Sequence, residues 1–249
     1  MVIRAYGTFR LDAGFPGWDG SEHGARLLQS ELASQVQLSD ALRMPLRTIA
    51  GFSAADTDDG RVRAAAVLLD VQTLEPLHAE VCKFPAPLPY VRELLGFRAL
   101  PAMLETLSAL PREPDLAMVE GHGIAHPRRC GLATHFGLAS GLPTIGVARG
   151  RLAGAFVEPG PLEGEASRLR DGDQQIGWAV RTRSESPPIF VSPGHRVSLA
   201  ASLEYSLQMQ CGHRLPEPVH LARRLATQPD EWARPRRRGM RDTHSSRLV

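Results

Sequence analysis

Apolar positions run along this chain in three successive rhythms, and each predicts different elements. Over residues 23–37, Leu27, Leu28, Leu32 and Val36 recur at helical spacing, predicting an amphipathic helix that Pro45 prevents from continuing. From Arg47 the rhythm shortens. Thr48–Ala54, Val62–Asp70 and Leu77–Phe84 are apolar runs of strand length. Turn residues separate them, Asp56-Thr-Asp-Asp-Gly60 and Gln72 to Pro76, so a three-strand antiparallel meander is expected. After Pro85 to Pro89, Leu94, Leu95, Leu100, Met103, Leu104 and Leu107 return to helical spacing, with Pro101 expected to break or restart the helix.

Beyond that point the pattern alternates. Leu116–Glu120 and Thr144–Ala148 read as strands, residues 126–140 as mostly helical, and Pro159 to Asp173 as a loop insert. Gln175–Arg181 and Ile189–Val191 form a closing hairpin, followed by a helix from Ser198 to Met209. A meander followed by alternating helices and strands predicts an α/β fold: a mixed sheet, antiparallel then parallel, with helices on both faces. The expected organisation is an N-terminal extension (1–22), one main domain (23–228) and a tail (229–249). That tail carries Arg234, Arg236, Arg237, Arg238, Arg241 and Arg247. It is expected to be disordered, and reads equally as a phosphate-binding arm or a solvated terminus.

Composition changes this picture little. Of 249 residues, 43% are hydrophobic and 22% charged, as in globular proteins, and the net charge of +2 demands no nucleic acid. Nearly all the positive charge is arginine, since Lys83 is the only lysine; arginine grips phosphate bidentately, although a GC-rich genome produces the same bias. Cys82, Cys130 and Cys211 are odd in number and match no zinc spacing, so a reducing cytoplasm is expected. No apolar run is long enough to span a bilayer and no signal-peptide core is visible, so no membrane partner is expected.

Candidate chemistry gathers in Met118-Val-Glu-Gly-His-Gly-Ile-Ala-His-Pro-Arg-Arg129. A carboxylate, Glu120, ends a buried strand beside a glycine-bearing turn, where open α/β sheets place ligands. Gly121 and Gly123 let backbone amides approach a base or phosphate closely. The plain alternative is a strand–turn–helix connection with a surface histidine pair.

Eight stretches in fixed order resemble the endonuclease V family, repair nucleases that recognise inosine and other deaminated bases and cut a nearby phosphodiester. They are Thr48-Ile-Ala-Gly51, Leu88-Pro-Tyr90, Gly96-Phe-Arg98, Glu120 to Arg129, Leu132 to Gly137, Pro143 to Ala148, Pro193 to Ser198 and Arg214 to Pro218. Together they cover roughly residues 25 to 225. The resemblance implies a ribonuclease-H-like fold and Mg²⁺ (or Mn²⁺) held by carboxylates against the scissile phosphate. It also implies a histidine late in the chain and a lysine near the phosphate.

Those positions are where this chain departs. The first-strand aspartate falls on Ser53 and the glutamate of the Phe-Arg-Glu run on Ala99. The fourth-strand aspartate is Glu120, the one carboxylate left to hold a metal, and the phosphate lysine is Arg149. A further carboxylate falls on Ala200; His195 is carried over as the catalytic histidine. Asp56 lies on the strand face opposite Ser53, Asp58 and Asp59 belong to the turn, and Glu204 reads as a solvated helix position.

The recognition residues match better. Pro89-Tyr90 corresponds to the wedge that enters the duplex while the base is flipped. Gly121, His122, Gly123 and His126 correspond to the base pocket, and Arg128, Arg129 and Arg149 to phosphate contacts. Singly, Tyr90 reads as a core aromatic, His122 as a turn residue and Arg128 as a surface charge. Two functions stand. One is a monomeric protein that binds DNA or RNA carrying a modified base and recruits other repair factors, with metal-dependent incision reduced or lost. The alternative is an active hydrolase, nuclease or lesion-excising, using Glu120 and His195 on an altered, alkylated base.

Overall fold

A computed structural model describes Phe15 and residues 17–232. Residues 1–14 and Pro16 of the expected N-terminal extension and the arginine-bearing tail from 233 lie outside the described residues, while Phe15 and Trp18 of that extension pack on Phe97 as part of the main domain. The meander forms as read. Strands β1 (Thr48–Asp56), β2 (Arg61–Asp70) and β3 (Pro76–Pro85) pair antiparallel. Strands β4 (Leu116–Glu120) and β5 (Thr144–Ala148) add in parallel beside β1. The remaining strands, β6 (Ala166–Asp171), β7 (Gln174–Val180) and β8 (Ile189–His195), pair antiparallel, with β8 beside β5. The result is one eight-stranded mixed sheet in the order β3-β2-β1-β4-β5-β8-β7-β6, the ribonuclease-H-like arrangement.

Strand alternation divides the core between two faces. On one, Phe52, Leu68 and Val119 pack with helices α1 (Glu22–Ala33), α2 (Leu95–Ala109) and α3 (Leu132–Ser140), through Leu28, Phe97, Met103 and Phe136. On the other, Ile49, Val67, Met118 and Ile145 receive α4 (Leu199–Gln208) and α5 (Glu217–Thr227), chiefly through Val219, Leu221 and Leu225. A final short helix, α6 (Pro229–Trp232), follows. Among the described residues no helix is long and apolar enough to cross a membrane.

Four expectations require correction. The loop insert contains β6, an edge strand in which Leu169 alone is buried, so its alternation is hidden in Ala-Ser-Arg-Leu-Arg-Asp. Pro101 sits inside α2 without dividing it; Phe97, Leu100 and Met103 bury on both sides of it, and that packing outweighs one lost backbone bond. α1 ends at Ala33, and residues 126–131 are irregular, with Arg129 at φ 53°. Helix α5 was not anticipated, although Pro216 and Pro218 flanking Glu217 mark a helix start and Val219, Ala222 and Ala226 recur at helical spacing. It lies so close to β1 that a Cβ on Gly51 would fall 1.8 Å from the Pro218 carbonyl oxygen.

Candidate functional site

The carboxyl ends of β1, β4 and β5 open onto a cleft of about 450 Å³, the position where parallel sheets present ligands. Its lining includes Asp56, Tyr90, Arg92, Arg98, Ala99, Glu120, His122, Arg149 and Arg223. Ser53, Glu120 and Arg149 all point to the α5 side of the sheet, by the alternation that sends Gly51 and Met118 there. At its centre Glu120 makes three contacts. Ser53 Oγ donates to Oε2 at 2.6 Å, Arg223 Nη1 donates to Oε1 at 2.5 Å, and Arg149 Nε lies 3.4 Å from Oε1. The Glu120 side chain retains only 14% of its exposure, whereas Arg223 and Arg149 keep 33% and 50%.

Asp56, the other carboxylate among these lining residues, faces α2 and is paired through Arg98 Nε and Nη2 at 2.8 and 2.7 Å. Asp59 caps its own turn, accepting from the Thr57 hydroxyl, and Glu204 accepts from Gln208 on α4. Ala99 borders the cleft from α2 with no polar group to contribute.

The site therefore differs from expectation in its fourth member. His195 is not beside Glu120. On β8 it pairs with Thr144, the first residue of β5, while Glu120 pairs with Val147 near the last. That separation is about 10 Å along the strand alone. Its ring is buried, with Nδ1 3.4 Å from the Gln37 amide that donates to it. The late-chain residue that reaches Glu120 is Arg223. A reading of α5 from its prolines would have found it, since Arg223 lies five residues from Pro218 on the helix packed against β1.

The recognition residues separate into two groups. Pro89 and Tyr90 are exposed, and Tyr90, 63% accessible, lines the cleft, so the core-aromatic alternative for Tyr90 fails. Arg128 and Arg129 are each engaged within the fold. Arg128 donates to Gln29 Oε1 at 2.7 Å and Glu93 Oε2 at 2.8 Å, tying α1 to the 3₁₀ turn Arg92–Leu94. Arg129 donates to Asp171 at 2.7 Å, Gln174 at 3.1 Å and the His126 carbonyl at 2.9 Å, fixing the β6–β7 hairpin. The amides of Gly121 and Gly123 are also occupied, by the Val147 carbonyl and the Ser192 hydroxyl, both at 2.9 Å. Neither amide is available to read a base. Gly123 is required for contact rather than flexibility: a Cβ there would lie 1.9 Å from the Pro193 carbonyl oxygen.

Burial pushes His122 and His126 down from 6.5 to about 4, so both rings are neutral at pH 7. Each Nε2 lies 2.9 Å from a carbonyl oxygen, of Gly150 and Glu93 respectively, and a carbonyl only accepts, so both protons sit on Nε2. In His126 the remaining nitrogen, Nδ1, accepts the Arg128 amide at 3.1 Å, which makes it a tie. In His122 Nδ1 remains an acceptor at the cleft wall. The unfolded chain takes up these protons near pH 6.5 and the folded one only near 4. Stability is therefore independent of these rings above pH 6.5 and falls as pH drops below it. The His126→Gln variant, which cannot titrate there, is expected to lose less melting temperature than the unsubstituted chain between pH 6.5 and 5. Parallel losses in thermal melts would refute this account of His126.

The sequence profile described as Endonuclease V matches residues 30–224. Endonuclease V of Xanthomonas axonopodis pv. citri is 50% identical over 221 residues, 88% of this chain and 93% of that protein. The crystal structure of the Streptomyces avermitilis endonuclease V superposes with a TM-score of 0.80 at 39% identity, over 87% of this chain and 96% of that one. That of Ciona intestinalis endonuclease V, in complex with a 23mer DNA containing an inosine followed by a ribo-adenosine, shares the fold at TM-score 0.72 and 21% identity, over 85% and 98%. The profile, the identity across most of both chains and the superposition agree, and the chain belongs to the endonuclease V family of nucleic-acid repair proteins.

Proposed function

We propose that this chain recognises a modified base in DNA or RNA and has lost the family's metal-dependent incision. One observation carries the reading. The carboxylate that would hold the metal, Glu120, is engaged by Arg223, Arg149 and Ser53. Mg²⁺ requires several oxygen ligands with anionic character, in near-octahedral array. Ser53 and Ala99 supply no anion, and Asp56 belongs to Arg98 on the other face. Two guanidinium cations around the remaining carboxylate also oppose a divalent ion electrostatically. The residues do not fit the metal. The alternative hydrolase, with Glu120 and His195 acting together, lacks its second group at this cleft.

Three features support recognition. Tyr90 stands exposed beside the cleft, able to fill the gap left when a base leaves the stack. His122 offers Nδ1 and a backbone amide, neither with a hydrogen-bond partner among the described residues. The same fold holds inosine-containing DNA in the Ciona intestinalis protein. By fluorescence anisotropy, an inosine-containing duplex is expected to bind more tightly than its unmodified control at every salt concentration tested. Equal affinities throughout would sink the proposal. The Tyr90→Ala variant should lose about 1–3 kcal/mol of binding, the range for one aromatic–base stack, and mainly for the modified duplex.

A further inference from the structure

The cations at Glu120 outnumber it. Arg149 and Arg223 contribute two positive charges against one carboxylate, leaving a residual charge of +1. Each guanidinium meets Glu120 through a single nitrogen, Nε of Arg149 and Nη1 of Arg223. Their other nitrogens have no further acceptor among the described residues, and both side chains stay partly exposed at the cleft. The neighbouring arginines are less available. Arg98 is held by Asp56 and the Leu88 carbonyl, and Arg92 donates to the Arg151 carbonyl at 2.7 Å.

Ser53 completes the arrangement by holding the second carboxylate oxygen at 2.6 Å, which fixes the plane of Glu120. A fixed carboxylate between two guanidinium groups orients both forks, and such forks match the oxygens of phosphate. One phosphodiester carries a single negative charge, which cancels the residual one. We propose that Arg223 and Arg149 form a metal-independent binding site for one backbone phosphodiester, with Glu120 and Ser53 as positioning residues. This rests on the reading that the chain binds nucleic acid, and adds where and by what charge it grips the strand.

The test is anisotropy with a fluorescein-labelled DNA duplex containing one inosine, beside its unmodified control, in EDTA over a range of NaCl. Binding should not strengthen when Mg²⁺ replaces EDTA, since the cation is not a ligand of the site and competes for phosphate like any other salt. The Arg223→Gln variant should weaken both duplexes by about tenfold and lower the slope of log affinity against log salt by about one, the signature of one lost phosphate contact. The ratio between the two duplexes should not change, because backbone contacts carry no base information. The Glu120→Gln variant raises the residual charge to +2 and should tighten both several-fold. A single neutral methylphosphonate walked along the strand should find one linkage whose effect is not additive with Arg223→Gln.

Unchanged affinity and slope in Arg223→Gln, or weaker binding in a folded Glu120→Gln protein, would overturn the phosphate site. Should Arg223→Gln fail to fold, Glu120→Gln and the methylphosphonate walk on the unsubstituted chain decide the matter. Loss of preference for inosine in the unsubstituted chain would instead overturn the lesion-recognition reading. It would leave the salt slope to judge the phosphate site separately.

Discussion

Replacing Ser53→Asp, Ala99→Glu, Glu120→Asp and Arg223→Ala together is expected to raise Mg²⁺-dependent nicking of an inosine-containing duplex by about a hundredfold or more, because each restored anionic ligand recovers several kcal/mol of charge stabilisation. The arginine change is essential to this result. Restoring the three acids alone leaves a guanidinium within 2.5 Å of the position a metal ligand must occupy, and that triple variant should gain little. Glu120→Asp shortens the side chain by one methylene and withdraws it from the Ser53 hydroxyl, which becomes a carboxylate in the same design. The assay is gel-resolved single-strand cleavage with and without EDTA. Robust nicking by the unsubstituted chain with Mg²⁺ or Mn²⁺ would overturn the claim that incision is lost. No gain in the fourfold variant would show that the residues around these four positions have drifted as well.

The second large effect concerns folding. Gly51→Ala should destabilise the protein by about 3 kcal/mol or more, at the upper end of what overpacking costs. The new methyl would meet the Pro218 carbonyl at 1.8 Å, and backbone on both sides has no soft direction of retreat. Relief requires α5 to lift from β1. That movement exposes Val219, Leu221 and Leu225 and withdraws Arg223 from Glu120. Urea denaturation should show the lower midpoint, and DNA binding by the folded fraction should weaken as in Arg223→Gln. A midpoint within 0.5 kcal/mol of the unsubstituted chain would mean that α5 seats more loosely than described.

Much of the architecture was legible because strand rhythm and turn chemistry are local. Thr48–Ala54, Val62–Asp70 and Leu77–Phe84 became β1, β2 and β3 with ends shifted by two residues or fewer. Edge strand β6 was not legible, since burying Leu169 alone leaves no periodicity to read. The placing of Ser53 and Asp56 on opposite faces of β1 followed from strand alternation. The place of His195 did not. Sequence order put it late in the chain, as the family pattern requires, but β8 runs antiparallel to β5 and its last residue lands at the wrong end of the sheet. Arg223 was hidden for the converse reason. Its significance appears only when a helix some hundred residues after Glu120 is docked on the same face.

Arg128 and Arg129 were expected to touch nucleic acid, and their identity with the family made that reading attractive. Their bonds run inward, to Gln29, Glu93, Asp171, Gln174 and the His126 carbonyl. His126 is likewise saturated, by Glu93 and the Arg128 amide.

Those inward bonds have a bearing on descent. A run held by the fold's own ties would persist in any lineage that still needs a folded protein, whether or not its members cut DNA. The letters from Gly121 to Arg129 therefore report ancestry and foldability together, and carry little information about turnover. On the function proposed above, the positions that bear on incision lie elsewhere, at 53, 99, 120 and 223.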